Sequence, residues 1–195
     1  GFTAPSGPGD IDDAVGALQN LAHACVIVVV HAKGAGMVEL GVLVQETDYP
    51  YDGKITFRFE DMKKNGPVKL HLRIPSWVRG ESGVQITENG QKCIWERKLS
   101  AADRGSFLTV EIEDPEHTVI SLDLGMKPRL TCSHALVEEN CNQVAVERGP
   151  LVYCLEGMDA PAETIDDLFV PSDVRMEPEE IEIEGRKVTG LGATF

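Results

Sequence analysis

The residues with the greatest capacity for chemistry are carboxylates, since aspartate and glutamate number 32 among 195 residues. Two carboxylates facing one bond form the acid and base, or acid and nucleophile, that hydrolysis of a glycosidic bond uses. Asp48 with Asp52, and Glu46 with Glu60, are candidate pairs by spacing. Nothing in the sequence brings either pair together, and chance pairing on an acidic surface is the commoner origin of such spacing. The sequence therefore predicts no catalytic pair.

The sequence also gives little support for a metal site or a catalytic nucleophile. The five cysteines are widely spaced, without a Cys-x-x-Cys pair or a Cys/His series at zinc-ligand spacing. The five histidines show no metal-binding spacing, and no phosphate-binding loop or nucleophile elbow is present. We therefore predict no metal site, no cofactor and no catalytic residue, and we expect reduced thiols that behave as small apolar side chains.

Aromatic residues offer a different kind of site, because a ring face packs on the apolar face of a pyranose or furanose. Tyr49, Tyr51 and Trp77 are the predicted carbohydrate-binding residues, and Trp95 is a further candidate. The alternative is that Trp77 and Trp95 help to cover the hydrophobic core. We favour that alternative for the tryptophans, since large aromatic residues are highly buried on average.

The charge and hydropathy of the chain exclude two classes of partner. The net charge is −14, from 32 acidic and 18 basic residues, and would repel nucleic acid phosphates. The longest apolar run, Cys25–Val30, is far too short to span a membrane. No signal peptide is visible. With unpaired thiols, these features predict a cytoplasmic protein that binds neither nucleic acid nor membrane.

The elements that must position these residues are strands, as the stretch Gln45–Trp77 indicates most clearly. Apolar residues occupy alternate positions from 55 to 59 and from 70 to 74, which places one face on a core and the other in solvent. Turn-forming residues lie between, so the sequence predicts a β-hairpin packed on a second sheet. The residues expected to be buried here and in two later strands are Ile55, Phe57, Phe59, Leu70, Leu72, Ile74, Val110, Ile112, Leu122 and Leu124.

Other segments fit the same architecture. A helix is predicted over Ile11–Ala22, after a capping Asp10, with strands at Cys25–Val30 and Val38–Val44. Later strands follow at short intervals, with a hairpin turn at Asn89-Gly90. The sequence thus predicts a mainly β protein: a jelly-roll-like antiparallel β-sandwich with one short N-terminal helix.

The last third predicts the start of a second sandwich. Gln143–Glu156 contains two strand halves, which Gly149 and Pro150 separate, since proline cannot donate to a β-ladder. We expect a structural junction at Arg148, Gly149 and Pro150, with Arg148 directed towards a carboxylate or backbone carbonyls. An edge-strand bulge with Arg148 in solvent is the alternative. A final hairpin is predicted within Ile181–Val188.

Three blocks carry a resemblance to a known family: Asp48–Lys54 (DYPYDGK), Leu70–Trp77 (LHLRIPSW) and Val144–Glu156 (VAVERGPLVYCLE). Together they resemble the C-terminal part of glycoside hydrolase family 127, the β-L-arabinofuranosidase-like enzymes, over about residues 42–160. In that family an (α/α)6 barrel carries catalysis and β-sandwich domains follow it. The resemblance implies a barrel remnant at residues 1–23, a first sandwich at 24–130, and a linker with an incomplete second sandwich at 131–195.

The family's chemistry does not carry over to this chain. Its members are retaining enzymes with a cysteine nucleophile held near zinc by further cysteines and a glutamate. The corresponding Cys-Cys-x-Pro-Asn-like motif would fall near Gly1–Ser6, where Phe2 and Thr3 replace the thiols. Neither side chain supplies a thiolate to zinc or to an anomeric carbon.

The resemblance therefore implies an accessory, non-catalytic β-sandwich region of a larger enzyme that hydrolyses arabinofuranosides or related plant glycans. The implied partners are the enzyme's helical barrel, a glycan, and a second copy of the chain in a homodimer. A stand-alone carbohydrate-binding module is the alternative function. A purely structural protein of shared ancestry is the third possibility.

Overall fold

The computed structural model describes residues 15–16, 28–32, 41–63, 66–155, 168–183 and 185–194. All strand pairs in these residues are antiparallel. The described residues also form three single-turn 3₁₀ helices at Ala101–Asp103, Pro115–His117 and Glu138–Asn140. In chain order the strands are β1 (Val15–Gly16), β2 (Val28–Ala32), β3 (Val42–Thr47), β4 (Lys54–Glu60), β5 (Val68–Arg73), β6 (Gly83–Glu88), β7 (Lys92–Lys98), β8 (Phe107–Ile112), β9 (Thr118–Asp123), β10 (Pro128–Cys132), β11 (Val144–Arg148), β12 (Leu151–Tyr153), β13 (Arg175–Ile183) and β14 (Arg186–Thr194).

Two sheets form a sandwich over the first two-thirds of the chain. One has the strand order β1-β2-β5-β8, and the other has the order β3-β4-β9-β6-β7. A single cluster of buried apolar side chains, drawn from both sheets, forms the core. Full burial of one such side chain stabilises the fold by about 1.5–3 kcal/mol. The prediction of a mainly β, antiparallel sandwich is confirmed.

The predicted register of the strands is also confirmed. Ile55 and Phe57 are 1% and 0% exposed, and the other eight residues predicted to be buried lie in the same core. Arg58 lies on the opposite face of β4, where its guanidinium contacts Glu46 at 2.7 Å and Glu60 at 3.0 Å. The period-2 alternation therefore assigned each side chain of β4 to the correct face.

The pairing of β4 with β5 was predicted wrongly. β4 pairs with β3 and β9, whereas β5 pairs with β2 and β8, so the two strands belong to different sheets. The segment between them crosses the sandwich, with Asp61 at φ 51° and Gly66 at φ 147°. Alternation states which face of a strand is buried. It does not state whether the next strand lies beside it or across the core.

The N-terminal helix prediction is wrong where it can be compared. Val15 and Gly16 form β1, which pairs with His31 and Val30 of β2. The remainder of Ile11–Ala22 lies outside the described residues. Spacing near a helical period is a local signal, and pairing with another strand overrides it. The strands predicted at 25–30 and 38–44 overlap β2 and β3, which end two and three residues beyond the predicted ends. Residues 25–27 and 38–40 lie outside the described residues.

The two hairpins predicted later in the chain, at Asn89-Gly90 and within Ile181–Val188, are confirmed. Asn89 and Gly90, with φ values of 50° and 70°, connect β6 to β7. Both angles are positive, as the two central residues of a type I′ turn require, and the amide of Gln91 donates to the carbonyl of Glu88 at 3.0 Å. The final hairpin joins β13 to β14 through Gly185, at φ 76°, and its nine residue pairs extend well beyond the predicted segment.

A three-stranded sheet, β10-β11-β12, follows the sandwich. β10 was missed because residues 127–140 are mostly polar, yet it pairs with β11 along its whole length. Gly149 and Pro150 form the turn of the β11–β12 hairpin, in which Arg148 pairs with Leu151. Both strands of this hairpin lie in the three-stranded sheet, so the turn itself does not cross from one sheet to another. The division at residues 1–23, 24–130 and 131–195 stays a prediction.

Candidate functional site

Several short-range hydrogen bonds stabilise the loop between β3 and β4, which carries Tyr49 and Tyr51. The amide nitrogens of Tyr51 and Asp52 donate to the carbonyl of Asp48 at 2.9 and 3.2 Å. A carboxylate oxygen of Asp52 in turn accepts from the amide of Lys54 at 3.1 Å. The hydroxyl of Thr47 donates to the carbonyl of Lys54 at 2.9 Å, which joins the two ends of the loop. These short-range hydrogen bonds define the local conformation of the loop.

The aromatic residues predicted to bind carbohydrate divide into two kinds. The rings of Tyr49 and Trp77 stack on each other, with centroids 6.4 Å apart and planes 23° apart. Both rings are half-buried and pack against the core, which is the covering role expected for Trp77. Tyr51 is 52% exposed. Mutual stacking covers one face of each of the two stacked rings, which a sugar then cannot reach. The carbohydrate-binding role of Tyr49, Tyr51 and Trp77 stays a prediction.

Arg148 connects the three-stranded sheet to this loop. It is only 8% exposed, and its Nη1 donates to the backbone carbonyl of Tyr51 at 2.7 Å. The expected orientation towards a backbone carbonyl is therefore observed, whereas the solvent-exposed alternative is not. Its role as a structural junction stays a prediction, which substitution can test.

Met126 fills the space between the same two segments. A Cβ placed on Gly149 would lie 2.5 Å from Met126 Cε, and one placed on Gly53 would lie 3.0 Å from Met126 Cγ. Gly149 also has a φ of 61°, which a residue with a Cβ rarely adopts. The loop, Met126 and the β11–β12 turn therefore pack too closely for a larger residue at Gly149.

Glu147 points to the opposite face of β11 and forms a separate polar cluster. Its Oε2 accepts from Nε of Arg129 at 2.8 Å, from Nη2 of the same guanidinium, and from the hydroxyl of Thr131 at 3.1 Å. The hydrogen bonds from Arg129 lower the pKa of Glu147, and the bond from Thr131 contributes in the same direction. Hydrogen bonding to the charged form favours that form.

Substitution of Arg129 by Met should raise the pKa of Glu147 towards its ordinary value. A carboxyl with a lowered folded-state pKa contributes stability above its unfolded pKa, and that contribution is lost as the pH falls through the folded pKa. The wild-type protein should therefore lose more stability than R129M as the pH falls from above the unfolded-state pKa of Glu147 through its folded-state pKa. Carboxyl ¹³C NMR titration and urea unfolding at several pH values measure both effects. An unchanged Glu147 titration in R129M would refute this assignment.

Three of the four candidate carboxylates, those of Glu46, Asp52 and Glu60, take part in structural contacts. Glu46 and Glu60 share Arg58, and Asp52 binds the backbone of its own loop. Within the described residues, no three His, Cys, Asp or Glu side chains come together as metal ligands. The described residues therefore do not fit a zinc site. The part of the chain that the structure describes also contains no helix that could cross a membrane.

Comparison with protein families matches both parts of this architecture. The model described as "Beta-L-arabinofuranosidase, GH127 middle domain" matches residues 26–126, which is more than half of the chain. The chain belongs to glycoside hydrolase family 127. The family's C-terminal domain model matches residues 128–188, so the two matches meet beside Met126.

Individual relatives of this GH127 chain are much longer. It is 32% identical over 121 residues to a "Non-reducing end beta-L-arabinofuranosidase" of Bifidobacterium longum subsp. longum, and spans 17% of that protein. A solved "Glycoside hydrolase" is 33% identical, with a TM-score of 0.64 over 76% of this chain and 24% of its own. A GH127 β-L-arabinofuranosidase from Geobacillus stearothermophilus T6, at 22% identity, shares the fold, with a TM-score of 0.58 over 85% of this chain and 27% of its own.

Proposed function

We propose that this chain is the accessory, non-catalytic β-sandwich region of a GH127 enzyme that hydrolyses β-L-arabinofuranosides or related plant glycans. The main support is that the family's middle and C-terminal domain models match residues 26–126 and 128–188 in succession. The chain spans only about a quarter of the solved relatives' length, so most of such an enzyme lies outside this match. In this proposal the sandwich packs on the helical barrel and supports its active-site rim.

The arrangement of polar groups supports a non-catalytic role. Three of the four carboxylates with catalytic spacing, those of Glu46, Asp52 and Glu60, contact arginine or the backbone. A stand-alone carbohydrate-binding module based on Tyr49, Tyr51 and Trp77 has less support, because two of those rings stack on each other. Homodimerisation and a cytoplasmic location stay predictions.

The isolated chain should show no turnover of an aryl β-L-arabinofuranoside and should hold no stoichiometric zinc. The physical reason is that Phe2 and Thr3 cannot supply the thiolates that the family's motif provides. Release of the aryl group and zinc content by elemental analysis measure the two quantities, with the Bifidobacterium relative as a positive control. Turnover that a single substitution in this chain abolishes, or one tightly bound zinc per chain, would overturn the proposal.

A further inference from the structure

A cleft lies beside the edge strands β7 and β8 of the two sheets, and the residues that line it are distant in sequence from the β3–β4 loop. β7 is the last strand of the five-stranded sheet, and β8 is the last strand of the four-stranded sheet. A cavity of about 520 Å³ lies between residues of β6 and β7 on one side and β8 with the following turn on the other. That volume is in the range of small-molecule sites.

Trp95 is the aromatic group of this cleft. It pairs directly with Ile86, so the two side chains share the core-facing side of the sheet. Ile86 is 5% exposed, whereas Trp95 is 39% exposed. The core therefore covers β6 but not the strand beyond it, and the indole lies at the uncovered edge. Ile94, at 55% exposure, extends the apolar surface.

The rim of the cleft is acidic and accepts hydrogen bonds. Glu88, Glu113 and Asp114 line it, together with His117. In the part of the chain that the structure describes, neither Glu88 nor Glu113 lies within ion-pair distance of a cationic group, although the pKa of His117, which Asp114 raises, is raised further by the charge of Glu88. Asp114 binds His117 at 2.9 Å. Ionised carboxylates only accept hydrogen bonds, so a matching ligand must donate several of them and present an apolar face to the indole.

These features favour a neutral sugar over other ligands. The acidic rim repels phosphates and uronates. An added β-strand is disfavoured at β7 for two reasons. The register with β6 shifts opposite Ile86 and Thr87, which leaves Ile94 of β7 as a bulged residue, and the charged residues Lys92, Glu96 and Lys98 lie along this edge. A sugar ring instead offers a C–H face for stacking and several hydroxyl donors.

We propose that this cleft binds a neutral oligosaccharide, with Trp95 against one sugar ring and the carboxylates of Glu88 and Glu113 accepting hydrogen bonds from its hydroxyls. The site needs no catalytic residue, and it does not involve Tyr49, Tyr51 or Trp77. Only the choice of an arabino-oligosaccharide as the probe rests on the proposed function.

Titration of the ¹⁵N-labelled chain with a neutral arabino-oligosaccharide tests the proposal. The chain has two tryptophans, so its spectrum contains two indole N–H signals. The Trp95 signal should move saturably, whereas the Trp77 signal should stay in place as an internal control. W95F assigns the signals, and W95A should weaken binding measured by calorimetry by at least about tenfold.

Two further variants separate the possible sites without touching the core. Glu113→Gln, at an exposed position, should weaken binding, whereas Tyr51→Ala should leave it unchanged. Raising the salt concentration to about 0.5 M should have little effect on a neutral ligand, because screening acts on charges. Arabinofuranoside turnover and zinc content are measured independently, so failure here is distinguishable from failure of the proposed function.

Four outcomes would overturn the proposal. They are no saturable shift of the Trp95 signal, binding that survives both W95A and E113Q, binding that is lost in Y51A, and binding only of a cationic amine that high salt abolishes.

Discussion

Replacement of Phe57 by Ala should lower the free energy of unfolding by about 3–5 kcal/mol. Phe57 is 0% exposed and lies in the middle of β4, which has paired strands on both sides. Truncation removes the ring from the centre of the core and leaves a cavity that strands fixed on both edges cannot easily close. Urea unfolding, followed by far-ultraviolet circular dichroism, measures the change.

Phe107→Ala is the matched control for the same chemical change. Phe107 is 48% exposed, and the guanidinium of Arg73 lies 5.6 Å from its ring centroid. An exposed cation–π contact contributes about 0.5–1 kcal/mol, so this variant should lose no more than that. Equal losses in the two variants would contradict the assignment of Phe57 to the centre of the core.

Replacement of Arg148 by Met should lower the free energy of unfolding by about 1–3 kcal/mol. Methionine retains an apolar stem of similar length but leaves the carbonyl of Tyr51 without its 2.7 Å donor. The loss has an upper limit, because the buried Nε of Arg148 has no hydrogen-bond partner among the described residues and its desolvation is not compensated. The same unfolding experiment measures the change.

Arg79→Met is the control for removal of an arginine. Arg79 is exposed, and a surface substitution of this kind should change stability by no more than about 0.5 kcal/mol. If Arg148→Met also stays within that range, Arg148 does not anchor the three-stranded sheet to the β3–β4 loop. The buried arginine would then be a tolerated feature and not a junction.

The sequence predicted the faces of the strands better than their partners. Alternation around Phe57 is a local property that each strand carries itself, and the Asn89-Gly90 turn also depends only on neighbouring residues. The partner of β4 depends instead on how the sandwich closes, which no short segment encodes. β10 was missed for the related reason that pairing with β11, and not an apolar pattern, holds it in place.

The candidate sites show the same division. A guanidinium within an apolar stretch predicts that Arg148 needs an acceptor, but its acceptor lies 97 residues away in sequence. The proposed role of Trp95 depends on the five-stranded sheet extending beyond the four-stranded sheet. No residue near Trp95 in sequence therefore indicates that a cleft is present. The sequence likewise did not predict the contact between His117 and Asp114, since three-residue spacing of a histidine and an aspartate is common on protein surfaces.

The position of Met126 has a consequence for how the chain can be divided. The two family matches end at residue 126 and begin at residue 128, so an experimenter seeking a minimal fragment would cut there. Yet the methionine side chain fits between Gly53 of the first match and Gly149 of the second. A cut at this point would leave a surface of each fragment without its neighbour. Each domain that family comparison defines is here smaller than the unit whose side chains pack together.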